Sequence, residues 1–275
     1  MKKKSPRFSV LMSIYKNDSS LFLLESLKSL VDQTLLPDQL ILVNDGYITA
    51  DLEKVQDEFK SKAPFDVIII KLKTNKGLGF ALKVGLKYCK YKWVARMDSD
   101  DISIKDRFEK QFNYLKKKKY APAVVGGLIQ EFESNKMLKI RYVPENFKKI
   151  KSTLKYRSPV NHVSVIFNKK IILKVGSYQT FHFLEDYHLW ARIISNGYTI
   201  NNIQSILVLV RAGQNMINRR RGFIYALNEI KLLKYLHNLG IINYLQFCII
   251  SIIKFSIRLL PSKILSFVYK IFLRG

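Results

Sequence analysis

Cysteine is scarce in this sequence: its 275 residues include only Cys89 and Cys248, which lie far apart and outside any CxxC or Cys/His cluster. This excludes a disulfide framework and a zinc site. Glycine and proline are also few, at 12 and 7, and there is no Gly-, Pro- or Ser-rich linker and no internal repeat. With 48% hydrophobic and 25% charged residues, the chain should form a packed core, which excludes a disordered or collagen-like protein.

Long hydrophobic runs are missing too. None reaches the roughly 18 to 20 residues that span a bilayer, and the nearest, residues 241–253, is interrupted by Asn243, Gln246 and Ser251. The N-terminus begins with basic residues, but Lys16 soon ends the apolar run that follows, and no small-residue cleavage site comes after it. We read this segment as a strand and not as a signal peptide, and expect a cytoplasmic protein.

Acidic residues are the third shortage. There are 21 Asp and Glu against 47 Lys and Arg, a net charge of +26, and no acidic residue follows Glu229. A surface with this balance attracts polyanions, so nucleic acid, anionic lipid and phosphorylated small molecules are all candidate partners.

The first half of the chain alternates between strand and helix patterns. Short apolar runs predict strands at 8–15, 40–43, 65–70 and 93–97, and apolar residues at helical spacing predict helices at 21–30, 51–60 and 77–90. This order indicates an α/β fold with a doubly wound, mostly parallel mixed sheet, whose ligands lie beyond the carboxyl ends of the strands. Further strands are predicted at 123–129, 136–143, 163–167 and 203–210, further helices at 105–119, 144–156 and 182–196, and only helix from 219 onward. We therefore expect one domain over residues 1–218 and a basic helical tail over 219–275.

The scarce acidic residues collect at the predicted strand ends. Asp45 follows the second strand, and Asp98, Asp100 and Asp101 follow the fourth. If the chain turns between Asp98 and Asp100, both carboxylates can approach one Mg²⁺ or Mn²⁺ ion, which would bridge the protein and a diphosphate. A solvated acidic loop is the plain alternative, while an EF-hand is excluded because its Gly and distal Glu are missing.

Two other classes of protein stay open at this point. Phosphohydrolases of the HAD type also carry Asp-x-Asp after an apolar strand, but they continue with Thr or Val where this chain has Ile102, and they carry the motif near the start of the domain. A nucleic-acid-binding protein would suit the charge, but the basic residues are dispersed and no reader motif is evident, so we expect no nucleic-acid partner.

Five segments together resemble a known family. They are FSVLMSIY at 8–15, LILVNDG at 40–46, NKGLG at 75–79, RMDSDD at 96–101 and EDYHLW at 185–190. In this order and at these intervals, residues 7–215 look like a family 2 inverting glycosyltransferase with the GT-A fold, similar to bacterial enzymes that build O-antigen or capsule repeat units.

The resemblance implies a role for each matching residue. Asp45 would bind the uracil of a UDP-sugar, with Tyr15 near the base. Asp98 would contact the ribose or sugar and, with Asp100, the divalent cation. Asp186, or else Glu185, would be the catalytic base, because inverting transfer needs one carboxylate to take the proton of the acceptor hydroxyl. The alternative for this acidic pair is charge that complements a helix N-terminus.

Basic and histidine side chains are weaker candidates. Lys76 and Arg211 could stabilise the departing diphosphate, and Arg219 and Arg220 could bind that diphosphate or the acceptor, although a solvated helix start explains the two arginines equally well. His162 could contact the acceptor or be a structural histidine. The chain departs from the family pattern in having Ser13 where many members have Pro, and in having no histidine after the base helix except the distant His237.

The tail pattern suggests where the acceptor lies. Ser251, Lys254, Arg258 and Ser262 recur at helical spacing among apolar residues, a rhythm that continues beyond Pro261. Two amphipathic helices with cationic stripes would suit an anionic bilayer surface, and a core-packed helix pair is the alternative. With the resemblance, this implies a peripheral enzyme on the cytoplasmic face of the inner membrane, with no transmembrane span. It would transfer glucose or galactose in β linkage from UDP-glucose or UDP-galactose to an undecaprenyl-diphosphate-linked sugar such as GlcNAc-diphosphoundecaprenol.

Overall fold

The computed structural model describes residues 5–134, 136–212 and 222–261. Its strands are β1 (Phe8–Ile14), β2 (Gln39–Asn44), β3 (Asp66–Lys71), β4 (Trp93–Asp98), β5 (Ile102–Ser103), β6 (Val124–Glu133), β7 (Lys136–Arg141), β8 (Ile166–Asn168) and β9 (Ile200–Arg211). Its helices are α1 (Ser20–Val31), α2 (Ala50–Lys62), α3 (Leu78–Tyr88), α4 (Arg107–Lys116), α5 (Phe147–Thr153), α6 (Lys169–Lys174), α7 (Glu185–Ser195), α8 (Phe223–Asn238) and α9 (Tyr244–Leu259).

All nine strands of the described residues form one mixed sheet. Its order is β3-β2-β1-β4-β8-β6-β9-β5, and β7 pairs with the outer part of β6. The first four strands in this order are parallel, β8 runs antiparallel to both β4 and β6, and β9 is parallel to β6. The parallel block therefore sends the carboxyl ends of β2, β1 and β4 to the same edge.

The sheet is covered by helices on both faces, as the alternation predicted. Along β1, Leu11 packs into a core with α3, α7 and α8, whereas Val10 and Met12 pack into a second core with α1 and α4. Successive residues of a strand point to opposite faces, so a strand buried on both sides reads as a continuous apolar run. Gly85 of α3 lies so close to β1 that a Cβ atom there would approach a methyl of Leu11 to 2.5 Å.

Some predicted boundaries differ in the structure. The helix predicted from residue 144 begins at Phe147, because Asn146 caps it by accepting a hydrogen bond from the Lys149 amide. The strand predicted at 163–167 begins at Ile166, and a 3-10 turn covers His162–Ser164. The expected division between residues 218 and 219 falls outside the described residues, and so does the second predicted tail helix.

The prediction that the charged residues of the tail helix face outward is wrong. Lys254 and Arg258 of α9 turn inward and bind Glu229 of α8, with Lys254 Nζ 3.1 Å and Arg258 Nε 2.5 Å from its carboxylate. Arg258 and Glu229 are both buried. Both basic residues satisfy a buried carboxylate, so they do not form an outward cationic stripe.

Two further findings concern the apolar helices and the cysteines. In the part of the chain that the structure describes, no helix is long and apolar enough to cross a membrane. Both cysteines are free, with Cys89 buried and Cys248 partly buried.

Candidate functional site

The carboxyl ends of three parallel strands meet at one edge of the sheet. Ile14 at the end of β1 is in register with Asn44 of β2, and Ser13 is in register with Asp98 of β4. The acidic segments after β2 and β4 are therefore separated only by β1. This is the position at which doubly wound sheets bind ligands.

Asp45 connects the end of β2 to the start of α3. Its two carboxylate oxygens accept hydrogen bonds from the backbone amides of Lys76 and Gly77, each at 2.8 Å. The next residue, Gly46, has φ +85°, and a Cβ atom there would lie 2.6 Å from the Asn75 amide nitrogen. Only glycine fits so close an approach at positive φ. The Lys76 side chain is exposed at this turn, with its ammonium 4.9 Å from the Phe80 ring centre.

The segment from Asp98 to Asp101 contains carboxylates in different surroundings. The Asp98 side chain is 37% exposed and pairs with the guanidinium of Arg96, which is fully buried. Asp100 is exposed, whereas Asp101 is buried, and burial together with the charges of Asp98 and Asp100 raises the pKa of Asp101 well above its ordinary value. Asp98 and Asp100 thus remain at the surface of the site, as the metal prediction requires.

Asp18, from the turn after β1, adds another carboxylate to this edge. It accepts hydrogen bonds from the Ser99 hydroxyl at 2.7 Å and the Tyr15 amide at 3.1 Å. Burial raises the pKa of Asp18 to about 6, and the charges of Asp100 and Asp98 contribute to this rise. Tyr15, predicted to lie near the base, is partly exposed at the same turn.

The donor chemistry at this edge fits a hard divalent cation. Among the described residues, no group of three His, Cys, Asp or Glu side chains is placed to hold a metal ion. Mg²⁺ is commonly bound by one or two carboxylates together with substrate phosphates, and Asp98 with Asp100 offers such a pair. A cation would also offset the negative charges of Asp98 and Asp100, which add to the effect of burial on the Asp18 pKa.

Arg211, at the end of β9, holds the acidic segment in place. Its backbone amide donates to Asp101 at 2.9 Å, and its Nε donates to the Asp100 carbonyl at 3.2 Å. The guanidinium also pairs with Glu25 at 2.5 Å and stacks 3.7 Å over the Phe22 ring. The structure therefore places Arg211 beside the predicted metal ligands with its guanidinium engaged by protein groups, and its predicted contact with the diphosphate stays a prediction.

Glu185 and Asp186 form the first turn of α7. The helix is anchored by Leu189, Trp190 and Ile193, all fully buried, as predicted from the apolar face of this segment. The anchor fixes where the two carboxylates emerge. Acidic residues in a first helical turn are also favoured by the helix dipole, so position alone does not separate the two interpretations.

The electrostatic surroundings of Glu185 connect it to the other site residues. It lies against the start of α3, where a Cβ atom on Gly79 would be 3.3 Å from Glu185 Cβ. Burial, the Asp186 carboxylate and, to a smaller extent, Asp98 together raise the pKa of Glu185 to about 7. Burial also raises the pKa of Tyr178, to which Asp186, Glu185 and Asp98 all contribute. The predicted base pair and Asp98 thus share one electrostatic environment.

His162 is more enclosed than a surface acceptor site would require. Its Nε2 lies 2.9 Å from the Tyr178 hydroxyl, and its ring centre lies 6.0 Å from that of Trp190. Burial, aided by the charge of Arg96, lowers the pKa of His162 well below its ordinary value. A neutral histidine bound to Tyr178 matches the structural interpretation, and its contact with the acceptor stays a prediction. Arg219 and Arg220 lie outside the described residues.

Three residues of this site had no predicted role: Asp18, Arg96 and Tyr178. A signal existed for two of them, because Asp18 belongs to the polar end of the first strand and Arg96 is a charge inside an otherwise apolar strand. A buried charge requires a partner, which here is Asp98. Tyr178 gave no such signal, since it comes from a loop whose place beside His162 depends on tertiary contacts.

Known proteins give independent evidence on the family. Residues 9–176 match the family described as Glycosyl transferase family 2. The chain is 40% identical to an uncharacterized glycosyltransferase of Haemophilus influenzae over 98% of this chain and 99% of that one. It is 36% identical to the amylovoran biosynthesis glycosyltransferase AmsE of Erwinia amylovora, over 96% and 98% of the two chains. It is also 38% identical to the UDP-Gal:alpha-D-GlcNAc-diphosphoundecaprenol beta-1,3-galactosyltransferase of Escherichia coli, over 98% of each chain.

Solved structures agree on the fold. S. aureus TarS 1-349 in complex with UDP-GlcNAc superposes with a TM-score of 0.64 at 17% sequence identity, covering 84% of this chain and 67% of that one. At this identity the likeness supports the GT-A fold alone. The predicted fold and enzyme class are confirmed, and the phosphohydrolase alternative is excluded. On the family match and the full-length likeness to these relatives, the chain belongs to glycosyltransferase family 2.

Proposed function

We propose that this enzyme transfers a hexose, with inversion and in β linkage, from a UDP-sugar to a sugar carried on a lipid diphosphate. The observation that carries the proposal is the packing of Glu185 against Gly79 at the start of α3, next to the turn that Asp45 holds at the ends of β2 and β1. A base and a diphosphate-binding segment must face one another across the anomeric carbon, because in-line displacement needs the acceptor and the leaving group on opposite sides.

Asp186 takes the proton of the acceptor hydroxyl in this proposal, with Glu185 as the alternative base. The Glu185 carboxyl, with a pKa of about 7, is partly protonated at neutral pH and can donate a hydrogen bond where a second carboxylate could not. Asp98 and Asp100 would hold Mg²⁺ or Mn²⁺, which would stabilise negative charge on the departing UDP.

The remaining residues bind and orient the donor. Asp45 accepts a hydrogen bond from the uracil. The hydrogen bonds that it also accepts from the backbone amides of Lys76 and Gly77 keep the turn in place. Tyr15 lies beside the base. The exposed ammonium of Lys76 reaches the diphosphate, and the hydrogen bond from Arg211 to the Asp100 carbonyl keeps the metal segment in position.

The acceptor proposal depends on the relatives. The E. coli relative is named for transfer of galactose from UDP-Gal to GlcNAc-diphosphoundecaprenol. We propose the same class of acceptor here, with galactose as the first candidate and glucose as the second, in the synthesis of O-antigen or a related polysaccharide. Such an acceptor would place the enzyme at the cytoplasmic face of the inner membrane as a peripheral protein.

The test is a transfer assay with purified full-length enzyme. It is incubated with Mn²⁺, with UDP-galactose, UDP-glucose or UDP-GlcNAc, and with a synthetic α-GlcNAc-diphosphate bearing a short alkyl chain. We expect a disaccharide product by mass spectrometry with UDP-galactose or UDP-glucose, and a β linkage by NMR. Asp186→Asn should abolish the product, while the surface control Glu145→Gln should not change it. Absence of product with all three donors, or full activity of Asp186→Asn, would contradict the proposal.

A further inference from the structure

Helix α9 exposes the side that a helix of a water-soluble protein normally buries. Its exposed positions are Tyr244, Leu245, Ile249, Ile252, Ile253, Ser256 and Leu259. Only Ser256 among them is neither aliphatic nor aromatic. Leu245 is 67% exposed, Ile252 68% and Ile253 52%, and the aliphatic members recur about every three or four residues along one side. We call Leu245, Ile249, Ile252, Ile253 and Leu259 the α9 apolar face.

The charged residues of α9 lie on the opposite, inward side. Arg258 donates to Glu229 through Nε at 2.5 Å and Nη2 at 3.0 Å, and Lys254 donates to the same carboxylate at 3.1 Å. Arg258 also lies over the Tyr225 ring at 4.8 Å. Surface helices usually place charge outward and apolar residues inward, and α9 does the reverse. The contacts with Glu229 fix the rotation of the helix, so the α9 apolar face is held outward.

Charge and length together identify what covers this face. The chain carries a net charge of +26, and α8 exposes Lys231 and Lys234. Two such chains repel each other, whereas an anionic bilayer attracts them. Helix α9 has 16 residues and is about 24 Å long, shorter than the roughly 30 Å hydrocarbon core, so it fits along the membrane surface.

We propose that the α9 apolar face inserts into the boundary between headgroups and acyl chains of an anionic bilayer. The inference rests on the proposed function, since a lipid-linked acceptor requires the site to work at a membrane surface. It differs from the expectation of a cationic stripe. Lys254 and Arg258 orient the helix through Glu229, and the aliphatic side chains make the lipid contact. Binding through α9 should then persist on neutral lipid and in high salt, where charge attraction alone would fail.

The test measures binding of the full-length protein to vesicles by cosedimentation. Vesicles of phosphatidylethanolamine with phosphatidylglycerol are compared with neutral phosphatidylcholine vesicles, at low and high salt. We expect Ile249→Gln/Ile252→Gln to weaken binding about tenfold or more on both vesicle types. The control, Leu36→Gln/Leu173→Gln, removes two leucines elsewhere on the chain that are 40% and 44% exposed, and it should bind like wild type.

A second measurement covers the case in which the double variant fails to fold. In a Cys248→Ser background, Ile252→Cys is labelled with a polarity-sensitive fluorophore and compared with labelled Leu173→Cys. Vesicles should shift the emission to the blue at position 252 only. Equal behaviour of the two labels, or wild-type binding by the folded double variant, would overturn the proposal. So would light scattering that shows a dimer disrupted by the double variant while vesicle binding is unchanged.

The outcomes also separate this inference from the proposed function. The double variant should retain wild-type transfer to the short-chain acceptor in solution, because the α9 apolar face is not part of the catalytic site. If wild type binds vesicles through α9 but transfers no sugar to any lipid diphosphate, the proposed function fails and the membrane contact stands. If transfer occurs but vesicle binding does not depend on α9, the membrane contact fails alone.

Discussion

Replacing Glu185 with glutamine should stabilise the free enzyme at neutral and alkaline pH. The pKa of Glu185 is about 7 in the folded protein against an ordinary value of 4.5, which corresponds to about 3.5 kcal/mol at roughly 1.4 kcal/mol per pH unit. Glu185 is only partly buried, so solvent screening reduces this figure, and we expect about 1 to 2 kcal/mol.

The sign follows from proton binding in the two states. Below pH 4.5 both the folded and the unfolded chain carry a protonated Glu185, so this carboxyl does not lower the free energy of unfolding. As pH rises from 4.5 to about 7 the unfolded chain releases this proton first, so the wild-type free energy of unfolding falls, and the loss is complete above pH 7. Glutamine is uncharged and similar in shape, so the variant avoids this loss.

The assay is thermal unfolding of wild type and variant, without nucleotide or metal, at several pH values. We expect Glu185→Gln to raise Tm by about 2 to 6 °C at pH 8 and to leave it unchanged near pH 4.5. Glu145→Gln, at an exposed glutamate, controls for the loss of one charge and should have little effect at either pH. A variant that is destabilised at pH 8, or stabilised equally at both pH values, would refute the assigned environment of Glu185.

Three further predictions concern other parts of the molecule. Asp100→Ala should not lower Tm of the free enzyme, because the side chain is exposed and its charge repels Asp18 and Asp101, but it should remove the stabilisation by Mn²⁺ with UDP and lower transfer about a hundredfold or more. Gly46→Ala should cost about 1 to 3 kcal/mol in urea unfolding and raise KM for the UDP-sugar, because a Cβ atom would meet the Asn75 backbone. Glu229→Gln should cost about 3 kcal/mol in urea unfolding at pH 7, because Lys254 and Arg258 lose their carboxylate; a cost below about 1 kcal/mol would contradict the buried contact.

The acidic site was predictable because its parts are local. Asp45 and Asp98 directly follow apolar runs, and the carboxyl ends of parallel strands meet at one edge, so sequence position alone indicates their proximity. The pair Glu185 and Asp186 was predicted to contain the base only through the family resemblance, and this role stays a prediction. Its closeness to Gly79 and its high Glu185 pKa depend on packing between α7 and α3, which no local pattern encodes.

In the second half of the sheet, two strands were predictable from the sequence but their pairing was not. Strands β6 and β9 are visible as apolar runs, but their parallel pairing, and the insertion of short β8 between β4 and β6, join residues far apart in the chain. Strand pairing is chosen by contacts of the whole fold and not by the strand's own residues. The two-residue β5 is too short to give any periodic signal.

The sequence by itself determined the alternation of strand and helix, the position of the acidic residues at strand ends and the amphipathic character of the tail, because each depends on neighbouring residues. Only the tertiary structure decided which side of α9 faces outward. The spacing of Lys254 and Arg258 was compatible with an exposed cationic stripe, and a single carboxylate on another helix, Glu229, turned both inward. Periodicity shows that a helix has two faces, whereas the partner that each face meets is set by residues distant in the chain.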